Sequence, residues 1–205
     1  PLFVSDNTRP TTLKERGIAT QVDENILREL NWPRSVNHHI FRNDYESTRP
    51  ISAAVQAAIK NRVRKVLSDV DGVVISDYNK GVLVPELCRY VISLAREKGK
   101  FVAVDPKGRF SKYRNASLLK PNLSEMARYN GYGRLSEQVA VRKIIERERL
   151  GAMLVTKGAR GMTYYDSQGF VRIGAIKDGR RVEDVTGAGD TVTASFALAV
   201  AAGAP

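Results

Sequence analysis

The feature of the sequence that most constrains the fold is an alternation of short apolar runs with helical patterns, which begins at Pro50. Pro85–Lys98 has the period of an amphipathic helix and ends before Gly99. The apolar runs that predict strands are residues 72–76, 101–104, 117–119 and 152–156. Strands that are apolar throughout are typical of a parallel sheet covered on both faces. We therefore expect an α/β fold, with a mostly parallel sheet and helices on both of its faces.

Two further patterns lie near the end of the sequence. Residues 162–165 and 170–173 predict a small antiparallel hairpin. Val192–Ala202 is apolar nearly all round, which predicts a buried helix.

The first part of the chain is less regular than the rest. Thr11–Lys14 could open a strand, whereas Asn31–Arg49 is polar and has no clear period, as a loop or flap would. The sequence therefore predicts two parts, an irregular lid or edge segment at residues 1–49 and an α/β core at residues 50–205.

Composition narrows the range of partners. Lys and Arg number 33 and Asp and Glu number 22, so the formal charge of 33 − 22 = +11 favours an anionic partner. Aromatic residues make up only 7% and do not interleave with the basic ones, so nucleic acid is not the expected partner.

No apolar run is long enough for a membrane span, and no secretory leader is seen. A single cysteine, Cys88, excludes an internal disulfide, and we expect a cytoplasmic location.

Polar residues follow several of the predicted strands. In open parallel sheets, ligands bind beyond the carboxyl ends of the strands. That rule selects Asp77, Asp105, Asn122 and Thr156 as candidate binding residues. An Asp at such a position often only caps the following turn, so both interpretations stay open.

A glycine-rich segment, Asp184–Thr191, directly precedes the last predicted helix. The backbone at Gly187, Ala188 and Gly189 can turn tightly and direct N–H groups at an anion, to which the helix adds its positive end. Asp190 would lie beside that anion and could accept a proton from an attacking hydroxyl. The alternative is a simple glycine turn in which Asp190 caps the helix.

Asn122 and Glu125 are also open to two interpretations. Their spacing of three residues is that of a capping box, in which both side chains serve the start of a helix. As a functional pair they would hold a hydrated Mg²⁺, which prefers oxygen ligands and retains waters. The two roles can coexist.

Several segments carry a family resemblance. Asp184–Asp190 resembles the C-terminal motif of the ribokinase-like PfkB carbohydrate kinases, and Lys120–Glu125 resembles their second motif. Thr156–Gly161 resembles the strand-end turn on their nucleotide side. Within the family, Ile75–Gly81 and Val104–Gly108 are most similar to kinase domains for D-glycero-D-manno-heptose 7-phosphate, which act in lipopolysaccharide core synthesis.

The resemblance implies a ribokinase-like fold and ATP-dependent transfer of a phosphoryl group to a sugar hydroxyl, with heptose 7-phosphate as the leading substrate. It implies that Asp190 is the base, with an anion hole formed by the amides of Gly187, Ala188 and Gly189. The nucleotide and Mg²⁺ would contact Asn122, Leu123, Ser124, Glu125, Thr156, Lys157, Gly158 and Gly161, with Glu125 holding the metal through water. From their positions at strand ends, Asp77 and Asp105 could bind sugar hydroxyls. Lys14, Lys80 and Lys107 could meet the substrate phosphate as point charges, although each could equally be solvated.

The sequence also departs from the family pattern. The opening βα segment with its double-glycine sugar motif is missing, and the elements of the adenine pocket would follow Pro205, so we expect a chain truncated at both ends. The alternatives to a sugar kinase are a catalytically silent scaffold or subunit and a basic nucleic-acid-binding module. The sugar, an accompanying adenylyltransferase domain and a homodimer are left open.

Overall fold

The computed structural model describes residues 3–22, 35–129, 135–176 and 187–204. Contacts between Cα atoms divide the chain into two compact units, which are Asp6–Arg49 and the rest of the chain. Each unit is described by itself.

The unit Asp6–Arg49 contains two long antiparallel strands, β1 (Leu13–Val22) and β2 (Ser35–Tyr45), with a register shift between Gly17 and Ile18. The segment predicted to be irregular is therefore more regular than expected. Nearly all of the strand side chains whose burial is described are exposed, so neither face imposes the apolar alternation that marks a half-buried strand. Residues 31–34 of the predicted polar stretch lie outside the described residues.

The larger unit is built on one six-stranded sheet in the order β3-β4-β5-β6-β7-β8. Its strands are Gly72–Ser76, Phe101–Asp105, Leu118–Leu119, Ala152–Thr156, Met162–Tyr165 and Phe170–Ile173. The first four strands are parallel, and β7 and β8 form the antiparallel hairpin. The α/β prediction, with its parallel sheet and terminal hairpin, is confirmed.

The described helices are α1 (Ala53–Val66), α2 (Pro85–Glu97), α3 (Leu123–Ala127), α4 (Glu137–Glu148) and α5 (Ala188–Ala201). Local chemistry explains where they begin. Ser52 accepts a hydrogen bond from the amide of Val55 at the start of α1, and Ser136 does the same for Val139 at α4. Pro85 is the first residue of α2, where its missing N–H costs nothing.

Both faces of the sheet are packed, as predicted. Val102 and Val104 of β4 belong to one core with α1, α2 and α4. Ala103, between them, belongs to a second core into which Phe196 of α5 packs. Successive side chains of β4 therefore enter opposite cores, which is why this strand is apolar throughout.

The prediction of a buried last helix is wrong. α5 packs against β3 and β4, but among its residues only Thr193 is buried and Leu198 is 70% exposed. One side of the helix therefore covers the sheet, while no described residue buries the other side. The helix also begins at Ala188 rather than Val192. No described helix is long and apolar enough to cross a membrane.

Candidate active site

The polar residues selected from the sequence meet at the carboxyl edge of the parallel strands. Asp77 follows β3 and its amide donates a 3.0 Å hydrogen bond to the carbonyl of Asp105, the last residue of β4. Asn122, beyond β5, pairs in parallel with Thr156, the last residue of β6. These residues lie close together because neighbouring parallel strands all end at the same edge of the sheet.

The glycine turn lies at the start of α5. Gly187 is the N-cap, its φ of +80° is in the left-handed region, and no side chain caps the helix. Asp190 is the third residue of the helix rather than its cap, so the capping alternative is wrong. The 14 residues of α5 direct their positive end toward this turn. Residues 184–186 of the motif lie outside the described residues.

Gly189 lies close to the ends of β4 and β5. A methyl group on it would come within 3.2 Å of Lys120 Nζ and 3.7 Å of Asp105 Oδ2. Lys120 is buried, and its Nζ lies 3.2 Å from Asp105 Oδ2. A buried ammonium group therefore lies directly against the first turn of α5. The sequence reasoning missed Lys120 as a site residue, although a lysine immediately after a buried strand is a usable signal.

Asp190 shares its surroundings with a phenol and a second carboxylate. The hydroxyl of Tyr78 donates a 3.2 Å hydrogen bond to Asp190 Oδ2. The charge of Asp190, together with burial, raises the pKa of Tyr78. Burial also raises the pKa of Asp105, an effect that Lys120 opposes and the nearby carboxylates reinforce. Tyr78 is a further residue that the sequence reasoning did not select.

Asp77 is placed at the edge as predicted, but its carboxylate is buried. Oδ2 accepts hydrogen bonds from Lys112 and from the hydroxyl of Tyr113, and Oδ1 accepts one from the amide of Asn79 at 2.7 Å. Direct contact with a sugar hydroxyl is at odds with this arrangement. The geometry instead favours Asp77 as a residue that shapes the loop after β3.

Asn122 and Glu125 form a complete capping box. Asn122 Oδ1 accepts from the amide of Glu125 at 2.9 Å, and Glu125 Oε2 accepts from the amide of Asn122 at 2.9 Å. The ammonium group of Lys107 pairs with the other carboxylate oxygen, Oε1. The capping interpretation is confirmed, and it leaves no oxygen of Glu125 without a hydrogen-bond donor.

The other substrate candidates are less tightly defined. Lys80 is half-buried in the loop after β3. Lys14 is exposed on β1, in the unit Asp6–Arg49, so its contact with substrate stays a prediction.

The turn expected on the nucleotide side follows β6. Lys157 Nζ contacts Glu137 Oε1 at 2.5 Å and Thr163 Oγ1 at 2.8 Å, so its side chain joins α4 to β7. Gly158 and Gly161 both have positive φ. A methyl group on Gly161 would overlap the carbonyl of Ile173, whereas Gly158 faces open space. Gly161 is thus required by the fold, and Gly158 only by its backbone conformation.

Leu123 and Ser124 begin α3, inside the predicted nucleotide region. Leu123 is half-buried and packs against the core, while Ser124 is exposed. Within the described residues, no three side chains of the types that bind metals are grouped closely enough to hold an ion.

The chain is similar in sequence to known proteins. The chain is 37% identical over 208 residues to the bifunctional protein HldE of Wolinella succinogenes, and 34% identical over 204 residues to that of Helicobacter pylori strain P12. The alignments cover 99% and 97% of this chain but only 40% of each relative. The chain thus spans about two fifths of the length of these relatives.

Solved structures share the fold at lower identity. Phosphofructokinase-2 from Escherichia coli, in complex with potassium, superposes with a TM-score of 0.64 at 19% identity, covering 82% of this chain and 55% of that one. Ribokinase from Arabidopsis thaliana, complexed with ribose and ATP, gives 0.57 at 20% identity, covering 84% and 54%. These likenesses establish a ribokinase-like fold. The family model described as "pfkB family carbohydrate kinase" matches residues 35–205, and the chain belongs to that family.

Proposed function

We propose that the protein transfers a phosphoryl group from ATP to a sugar hydroxyl, with Asp190 as the general base. The observation that carries the proposal is the hydrogen bond from Tyr78 to Asp190 Oδ2, because it shows the carboxylate accepting from a hydroxyl group beside the glycine turn. A sugar hydroxyl in the same position would give its proton to Asp190 as it attacks the phosphorus.

The groups around Asp190 suit the charge that develops in this reaction. The amides of Gly187, Ala188 and Gly189 lie at the positive end of α5 and would donate to the oxygens of the transferring group. Lys120 adds a buried positive charge close to Gly189. These donors are fixed before substrate arrives, so little reorganisation is required during the transfer.

ATP and Mg²⁺ would lie near Asn122 and Glu125, and the nucleotide would extend along Thr156–Gly161. Asp105 would contact the sugar. Bound Mg²⁺ neutralises charge on the phosphates. Because Lys107 and the capping box occupy both oxygens of Glu125, this residue suits a water-mediated contact better than direct ligation. Mg²⁺ usually keeps several waters and uses one or two carboxylates, so the residues present fit such an ion.

The preferred substrate is heptose 7-phosphate, which is phosphorylated to the 1,7-bisphosphate. The resemblance of Ile75–Gly81 and Val104–Gly108 to kinase domains for heptose 7-phosphate supports this choice. Lys80 and Lys107, both in the larger unit, are the cations proposed for the substrate phosphate. This function would place the protein in lipopolysaccharide synthesis in the cytoplasm.

The proposal is tested by incubating the purified protein with Mg²⁺-ATP and each of three sugars: heptose 7-phosphate, fructose 6-phosphate and ribose. Bisphosphate product from the heptose in preference to the others is the expected result. Transfer to a neutral sugar instead would move the function to another branch of the family. Nucleotide binding without turnover on any sugar would favour the silent scaffold.

A further inference from the structure

One cavity away from the glycine turn gathers cationic side chains from three separate elements. It has a volume of about 530 Å³, within the range of small-ligand sites. Arg109 precedes the 3₁₀ turn Phe110–Tyr113, Arg128 directly follows α3, and Arg147 lies in the last turn of α4. Glu125 is the only residue proposed above for catalysis or binding that also lines this cavity.

The charges around the cavity do not balance. Two buried carboxylates line it, and each already has a cation: Lys107 pairs with Glu125, and Arg147 Nε lies 3.4 Å from Glu148. Within the described part of the chain, the side chains of Arg109 and Arg128 form neither an ion pair nor a hydrogen bond. Among the described residues, these two guanidinium groups therefore have no partner, and their combined charge matches that of a phosphate monoester near neutral pH.

An aromatic surface accompanies these charges. The rings of Phe110 and Tyr129 stack with centroids 5.4 Å apart and an angle of 16° between their planes. The guanidinium of Arg147 lies 5.7 Å from the centroid of Tyr129. Tyr129 is half-buried, so part of its side chain stays open to a ligand. An organic group attached to a phosphate could pack here.

We propose that this cavity binds a phosphate monoester of a small organic molecule, at a site separate from that of the transferred phosphoryl group. Arg109 and Arg128 would contact the phosphate, because planar guanidinium groups match the geometry of phosphate oxygens. Tyr129 would contact the organic part. None of the residues Gly187–Asp190 lines the cavity, so binding here does not require the kinase proposal to hold.

The test is calorimetric titration of the protein with inorganic phosphate, glucose 6-phosphate and adenosine monophosphate. Two double variants with equal loss of charge are compared: Arg109→Gln with Arg128→Gln, and Arg62→Gln with Arg142→Gln. The control arginines are exposed on α1 and α4 and do not line the cavity. We expect at least one monoester to bind saturably, and the cavity variant to weaken it by about tenfold or more. The control variant should bind as the unmodified protein does.

Equal affinity in the two double variants would overturn the proposal, as would the absence of saturable binding at millimolar concentrations. Tyr129→Leu tests the aromatic part, since it should reduce the preference for a monoester over inorganic phosphate. ATP-dependent transfer is measured separately, so failure of either proposal can be recognised without the other.

Discussion

The hydroxyl of Tyr78 donates a hydrogen bond to Asp190 Oδ2 over 3.2 Å, although 112 positions separate the two residues in the chain. The contact joins the loop after β3 to the first turn of α5. It depends on the sheet, because α5 packs against β3 and β4 and so brings its first turn to the loop after β3. Long-range packing thus brings Asp190 next to Tyr78. The sequence predicted a role for Asp77 and Lys80 of the same loop, but not for Tyr78.

The first prediction concerns the ionisation of Tyr78. The negative charge of Asp190 is the largest cause that raises the pKa of this phenol, because it disfavours the phenolate. Asp190→Asn should therefore lower the pKa of Tyr78 toward that of a free tyrosine. The phenolate absorbs in the ultraviolet, so alkaline titration of each protein minus its Tyr78→Phe counterpart isolates this residue. An unchanged pKa would show that the two side chains are not coupled in solution.

The second prediction concerns catalysis by Asp190. Asn has the same size but cannot accept the proton, a role worth about 10²–10⁴-fold in rate. In a catalytically active form of the protein, Asp190→Asn should lower kcat by about two orders of magnitude or more. Its affinity for ATP should change only a few-fold. Loss of an acidic side chain from the first turn of α5 should cost about 1 kcal/mol of stability or less. Steady-state kinetics measure kcat, and nucleotide titration measures the affinity for ATP. A near-normal kcat would remove Asp190 from the mechanism.

The comparison of sequence and structure shows which features local patterns can predict. The strands ending at Asp105 and Thr156 were predicted closely because apolar runs and helical periods are local signals. The capping box of Asn122 and Glu125 was visible for the same reason, as its members are three residues apart.

Other features depend on packing between distant segments. The burial of Asp77 depends on Lys112 and Tyr113, which are more than thirty positions away and carry no motif. The exposure of Leu198 depends on what covers α5, which the apolar composition of the helix does not reveal. Side-chain orientation and tertiary neighbours therefore decided where the sequence reasoning fell short.

The third prediction compares the two glycines of the turn after β6. Gly161→Ala introduces a methyl group that overlaps the carbonyl of Ile173, in a backbone conformation with φ of +78°. Gly158→Ala meets open space, and only its φ of +57° opposes the change. We expect a loss of about 1–2 kcal/mol for Gly158→Ala and a clearly larger loss for Gly161→Ala. Denaturant unfolding measures both, and equal losses would contradict the close approach of Ile173.

Gly158→Ala also provides a test of the nucleotide side. Because this variant should stay folded, a change in its ATP affinity would reflect the turn itself rather than global unfolding. Weaker ATP binding is expected if the nucleotide lies along Thr156–Gly161. Unchanged ATP affinity in the folded variant would contradict the proposed position of the nucleotide.

The last prediction concerns alkaline stability and the buried phenol of Tyr113. Burial, followed by the hydrogen bond to Asp77, raises the pKa of Tyr113 well above its usual range. In the unfolded chain, a tyrosine ionises at about pH 10. The unfolded chain therefore loses this proton at a lower pH than the folded protein does, and the free energy of unfolding falls as the pH rises above that value. Tyr113→Phe should lower the free energy of unfolding by about 1–3 kcal/mol at neutral pH, because Asp77 and the amide of Lys107 each lose a partner. Above about pH 10 the difference between variant and parent should shrink, since the variant has no such proton to lose. Thermal unfolding across this pH range measures the effect, with the exposed Tyr45→Phe as the control, and a difference that stays constant with pH would rule out the linkage.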